Sequence, residues 1–230
     1  MTGDSNSASR PVALVFDLDG TLVDSVYQHV LAWHHALLES GIELSIWRIH
    51  RRIGMSGGLF TRALLRETGR DLDATVLQQL QARHAAAYRR LAGDVRPLPG
   101  TTQLLAYLTE IGCPWAIATS GHLETAGPVL ERLAIPPDVP VVTRDQVPHA
   151  KPDPDLFLAA IERLGVPAAN VYVVGDSVWD MLAARRARTL GVGLLSGGYG
   201  VDELERAGAY RVYDDPAMLM AHLDELGVRA

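Results

Sequence analysis

The chain has 230 residues, 48% of them hydrophobic and 21% charged, the balance of an ordinary globular protein long enough for one large domain or a domain carrying an insertion. A formal net charge of −6 provides no overall basic field for a polyanion, so no nucleic-acid partner is expected. Cys113 is the only cysteine, which excludes an internal disulfide and a multi-cysteine metal site, and no apolar run approaches the ~20 residues of a membrane helix. The small, polar residues 1–10 read as a disordered tail without a secretory core, and a cytoplasmic location away from membranes is the expectation.

In chain order, an apolar run at 12–16 comes first and ends in "DLDGT", Asp17 to Thr21. Its apolar residues do not alternate with polar ones, which predicts a strand buried on both faces. From 25 to 94 only helical spacing follows: Val30, Trp33 and Leu37, then Leu59, Ala63 and Leu64, then Val76, Leu80, His84 and Ala87. "GDVRPLPG" at 93–100 reads as a returning linker. Beyond it, predicted strands at 115–118, 139–142, 171–174 and 192–195 alternate with helices at 101–111, 123–133, 154–164, 179–190 and 216–226. This alternation predicts an α/β fold, a doubly wound parallel sheet with helices on both sides. The expected organisation is a core of 11–24 and 95–230 with an all-helical cap, 25–94, lying over the carboxyl edge where open α/β sheets bind ligands. Trp33, Trp47 and Trp115 read as core or cap-interface packing, and Trp179 as packing beneath the site.

The residues at the strand ends carry the chemistry. They are Asp17 and Asp19, Thr119 and Ser120, Lys151 in "HAKPDPD", and Asp176 and Asp180 in "GDSVWD". Taken singly each has a plain structural reading: Asp19-Gly20 a turn, Asp176 a helix N-cap, Lys151 a solvated charge. A calcium loop starting at Asp17 fails, with Leu22 at the sixth position and Gln28 at the twelfth. Yet Asp176 and Asp180 share a helix face, and Lys151 is the single lysine beside 20 arginines. Carboxylates this close repel one another unless a cation or a reaction uses them. Acids, hydroxyls and one ammonium along one sheet edge suit a divalent cation and a phosphate.

In this order the four motifs resemble the haloacid dehalogenase-like (HAD) superfamily, and the early helical insertion resembles its first type of cap. The resemblance covers nearly the whole chain and implies a Rossmann-like core. It implies Asp17 as the nucleophile that forms an aspartyl-phosphate and Asp19 as general acid and base. Mg2+ would be held through Asp17, the main-chain carbonyl of Asp19 and Asp176, with Asp180 orienting a metal-bound water. Thr119, Ser120 and Lys151 would bind the transferring phosphoryl group.

The acid at Asp19 favours phosphoryl transfer over dehalogenation, and the lack of a second lysine excludes the Schiff-base phosphonate branch. The implied activity is hydrolysis of a small phosphorylated metabolite, of the phosphoglycolate or sugar-phosphate type. A sugar-phosphate mutase like β-phosphoglucomutase is the alternative: Ser25 and His29 fall on that group's hinge positions, but its two cap cations fall on Ile53 and Gly57. A catalytically silent binding protein is the alternative of another class. On the cap loop "RRIGMSGGLF", Arg51, Arg52 and Ser56 are the candidate substrate contacts; the histidines read as structural. The sequence carries no signal of oligomeric state.

Overall fold

The computed structural model describes residues 12–55, 57–68 and 74–229. The first strand, β1 (Ala13–Phe16), is followed by four helices, α1 (Val26–Leu38), α2 (Ile46–His50), α3 (Gly57–Thr68) and α4 (Ala74–Leu91). Then come α5 (Thr101–Glu110), β2 (Trp115–Ala118), α6 (Leu123–Arg132), β3 (Val141–Val142), α7 (Asp155–Leu164), β4 (Val171–Gly175) and α8 (Val178–Arg186). The chain closes with β5 (Leu190–Leu194), α9 (Val201–Ala207), β6 (Ala209–Tyr213) and α10 (Pro216–Ala221).

The strands form one parallel sheet in the order β3-β2-β1-β4-β5-β6. Period two along β1 sends Leu14 and Phe16 into one apolar layer, with Leu104, Leu108 and Val129, and Ala13 and Val15 into the other, with Phe157 and Ile161. Burial on both faces is why this strand reads as an unbroken apolar run. The strand order reverses between β1 and β4, which opens the crevice where ligands bind in doubly wound sheets.

The helices between β1 and α5 have their own core, built from Val26, Val30, Trp33 and Leu37 of α1 with Ile49, Phe60 and Leu80. Their two connections to the sheet run side by side: Asp24 N donates to Arg96 O at 2.9 Å and Val23 bridges to Pro97.

The structure corrects several expectations. Neither α9 nor β6 is expected from the sequence; β6 is an edge strand whose Tyr210 and Arg211 face solvent, so it shows no unbroken apolar run. The helix expected over 179–190 ends at Arg186, because Leu190 already belongs to β5. The helix expected over 216–226 ends at Ala221 and continues as a short 3-10 turn, Leu223–Leu226. Trp47 is 62% exposed on the outer side of α2 rather than packed, with Arg48 over its ring.

Candidate active site

Asp17 and Asp19 leave the carboxyl end of β1 in a tight loop. Gly20 adopts φ +81°, and a Cβ there would stand 2.6 Å from Asp176 Oδ2, so both the backbone conformation and the space select glycine. Ser196 Oγ donates to Gly20 O at 2.6 Å, and Thr21 Oγ1 to Asp176 Oδ1 at 3.0 Å. The loop thus presents Asp17 while bracing the acid at the end of β4.

Lys151 is fully buried. Its Nζ lies 2.5 Å from Asp17 Oδ1 and 2.7 Å from Asp180 Oδ1. Asp180 Oδ2 accepts from Ser177 N at 3.1 Å and Ser177 Oγ at 2.5 Å, the capping box that starts α8. Both oxygens of Asp180 are therefore engaged, and it holds the lysine in place. Asp17, Asp176 and Asp180 each offer a carboxylate oxygen within 4.8 Å of the others, and Asp19 is not part of that group.

The electrostatics follow from burial. Desolvation raises the Asp17 carboxyl to about 7, against the Lys151 charge and with help from the carboxylates of Asp180 and Asp19. Burial, with Asp180 and Asp17 nearby, pushes Asp176 well above the carboxylate range. For Lys151 burial acts in the opposite direction, but Asp17 and Asp180 outweigh it and hold the ammonium charged. Hard oxygen donors that are buried and mutually repelling fit a small divalent cation.

Asp19 behaves differently. Burial would raise it, yet His29 and Ser25 bring it below its ordinary value. Its Oδ1 accepts from Ser25 Oγ at 2.6 Å and contacts His29 Nε2 at 3.1 Å. Its Oδ2 is turned toward Gly121, where an added Cβ would stand 3.8 Å away. Thr119, at the end of β2, is buried and accepts from Gly121 N at 2.9 Å, while Ser120 Oγ donates to Gly54 O at 3.2 Å.

A cavity of about 460 Å³ lies over these groups. Asp17, Asp19, Thr119, Ser120 and Lys151 line its floor; Trp33, Arg52, Met55, Phe60 and His84 line the opposite side. Arg51 does not line it. Its guanidinium pairs with Glu203 and lies 4.2 Å over the Tyr199 ring, while Tyr199 OH donates to Arg51 O at 3.0 Å and His50 Nε2 contacts Gly197 O at 2.8 Å. Arg51 thus fastens the end of α2 to α9, whereas Arg52 lines the cavity. Ser56 lies outside the described residues.

The sequence reading missed His84, counted there only as one position of a helical stripe. Its Nε2 is 3.2 Å from His29 Nδ1, and its ring stacks on Trp33 at 4.1 Å. A histidine in an otherwise apolar stripe was the available signal. His149, by contrast, pairs with Asp155 on the surface.

A buried acid-lysine-acid cluster at the switch point of a Rossmann-like sheet, beneath a helical insertion, defines a hydrolase of one superfamily. The profile of the haloacid dehalogenase-like hydrolases matches residues 12–188, and the chain belongs to that family. A phosphoglycolate phosphatase of Agrobacterium fabrum is 30% identical over 225 residues, covering 95% of this chain and 96% of its own. A hydrolase of known structure from Pseudomonas syringae is 52% identical with a TM-score of 0.91, covering 93% of this chain and 98% of that one. A β-phosphoglucomutase from Clostridium difficile, 21% identical with a TM-score of 0.80 over 94% of this chain and 96% of its own, shares the fold alone. Among the described residues, no helix is long and apolar enough to cross a membrane.

Proposed function

We propose that the protein is a Mg2+-dependent phosphatase that hydrolyses a small phosphorylated metabolite, of the phosphoglycolate or sugar-phosphate type, through an aspartyl-phosphate on Asp17. The observation that carries this reading is Asp17 at the cavity floor, 2.5 Å from Lys151 Nζ and within 4.8 Å of the Asp176 carboxylate, with Asp19 engaged separately by Ser25 and His29. Mg2+, held by Asp17, the Asp19 main-chain carbonyl and Asp176, would offset the repulsion among the carboxylates and the phosphate.

Asp17 attacks phosphorus in line. Lys151 and Thr119 hold the phosphoryl oxygens, and Ser120 fixes the cap loop through Gly54 O. Asp180 positions Lys151. The leaving oxygen takes a proton from Asp19, which then removes one from the water that opens the acyl-phosphate. Residues 25–94 act as a cap, fastened here to the core through His50, Arg51 and Gly54, that excludes water and brings Arg52 to the non-reacting end of the substrate.

Hydrolysis is favoured over a mutase reaction. The two mutase cap cations fall on Ile53 and Gly57, and of Arg51 and Arg52, which could replace them, Arg51 is committed to Glu203, which leaves only Arg52 for a second phosphate. Phosphate release is to be measured over a panel of phosphoglycolate, hexose phosphates and p-nitrophenyl phosphate, with Mg2+ and with EDTA, for wild type, Asp17→Asn and Asp19→Asn. Turnover that requires Mg2+ and Asp17 is the expected result; EDTA-insensitive turnover, or wild-type rates from folded Asp17→Asn, would refute it.

A further inference from the structure

The cap contains a pair of half-buried histidines that the reaction described above does not use. His29 of α1 and His84 of α4 stand one behind the other from Asp19: Asp19 Oδ1 to His29 Nε2 is 3.1 Å and His29 Nδ1 to His84 Nε2 is 3.2 Å. The tightest stacking contacts of the cap surround them, Tyr88 on His29 at 3.9 Å and Trp33 on His84 at 4.1 Å, so neither ring can turn freely.

The donors and acceptors along this chain have a direction. Oδ1 already accepts the Ser25 hydroxyl, so it favours an N–H and not a bare nitrogen from His29. A neutral His29 with its proton on Nε2 has a bare Nδ1, which then needs a donor, and His84 Nε2 is the group in reach. We infer that His84 is a positioning residue that holds His29 in the Nε2–H tautomer and so keeps the acidic proton of Asp19 on Oδ2, the oxygen turned toward the cavity.

The opposite tautomer shows what this excludes. A bare Nε2 facing Oδ1 would attract the carboxyl proton to that oxygen, away from the leaving group. With two donors on Oδ1, the proton of the neutral acid can reside only on Oδ2, where it passes to the leaving oxygen, and Oδ2 receives one back from the attacking water. Burial pushes His84 well below the usual histidine range, in accord with a neutral ring.

The inference rests on Asp19 as general acid, so the test includes that residue. kcat and KM are measured with 2-phosphoglycolate, or the alkyl phosphate of the panel turned over fastest, and with p-nitrophenyl phosphate, whose leaving group needs no proton. The proteins are wild type, Asp19→Asn, His84→Phe, which keeps a ring against Trp33 but no nitrogen, and His84→Gln, which keeps an N–H. His84→Phe should lose roughly 10- to 100-fold in kcat on the alkyl phosphate, the range for the loss of an orienting partner, with little change in KM and little loss on p-nitrophenyl phosphate. His84→Gln should recover most of the loss.

Equal losses on both substrates would reduce His84 to a packing residue, and a rise in KM alone would make it a substrate contact; either overturns the inference. If Asp19→Asn itself fails to separate the two substrates, the acid assignment falls first; if it separates them and His84→Phe does not, only the inference falls. In wild-type protein labelled with 15N-histidine, both rings should carry their proton on Nε2. A His29 ring protonated on Nδ1 alone refutes the proposal even if the variants do not fold.

Discussion

Replacing Lys151 by methionine keeps an unbranched apolar stem and removes the charge that lies 2.5 Å and 2.7 Å from two buried carboxylates. Breaking a buried ionic network by removing one partner costs about 3–5 kcal/mol. For a chain of this length each kcal/mol is worth roughly 2–4 °C in Tm, so Lys151→Met should unfold about 6–20 °C below wild type. The loss depends on pH in a stated direction. Asp17 already titrates at about 7 in the fold and rises further without the ammonium, so the variant must keep a proton on it that wild type releases above about 7, and the loss is smaller at about pH 5.5 than at about pH 8. Thermal unfolding in EDTA at both values, followed by circular dichroism, is the assay. A variant melting within about 2 °C of wild type at the higher pH would show that Lys151 does not balance the cluster.

In EDTA, wild type should lose stability as pH rises from about 4 to about 7: the folded Asp17 keeps a proton over that window that the unfolded chain releases, and Asp17→Asn removes this contribution. The difference between the two proteins, read from urea unfolding, should therefore shift in favour of Asp17→Asn as pH rises, and a pH-independent difference would count against the raised carboxyl. Gly20→Ala forces a Cβ at φ +81° toward Asp176 Oδ2 and should cost about 1–3 kcal/mol while raising the Mg2+ concentration needed for half-maximal activity; no change in either would contradict the loop geometry. Arg52→Ala should lower kcat/KM for the best alkyl phosphate by about 10- to 100-fold, with inhibition by orthophosphate unchanged. Arg51→Ala should instead behave like Glu203→Gln, since both release the same fastening of α2 to α9; different kinetic profiles would mean that Arg51 also meets substrate.

The amino-acid sequence by itself determined the parallel sheet and the residues offered at its carboxyl edge. Strands buried on both faces are written as unbroken apolar runs, and Asp17, Thr119, Lys151 and Asp176 each follow one directly or within a short loop. Such signals are local, so no distant part of the chain is needed to read them. β6 escaped because an edge strand packs on one side only and admits Tyr210 and Arg211 outward. What only the tertiary structure decided are pairings across long stretches of chain. Arg51 and Arg52 are indistinguishable in sequence, yet Glu203 of α9 takes the first and the cavity receives the second. His84 looks like one more position on a helical stripe until α4 packs on α1 and sets its Nε2 against His29. Neither partner has a local signature, because a hydrogen bond depends on ångström-scale distance and direction, and those are fixed only when the helices pack.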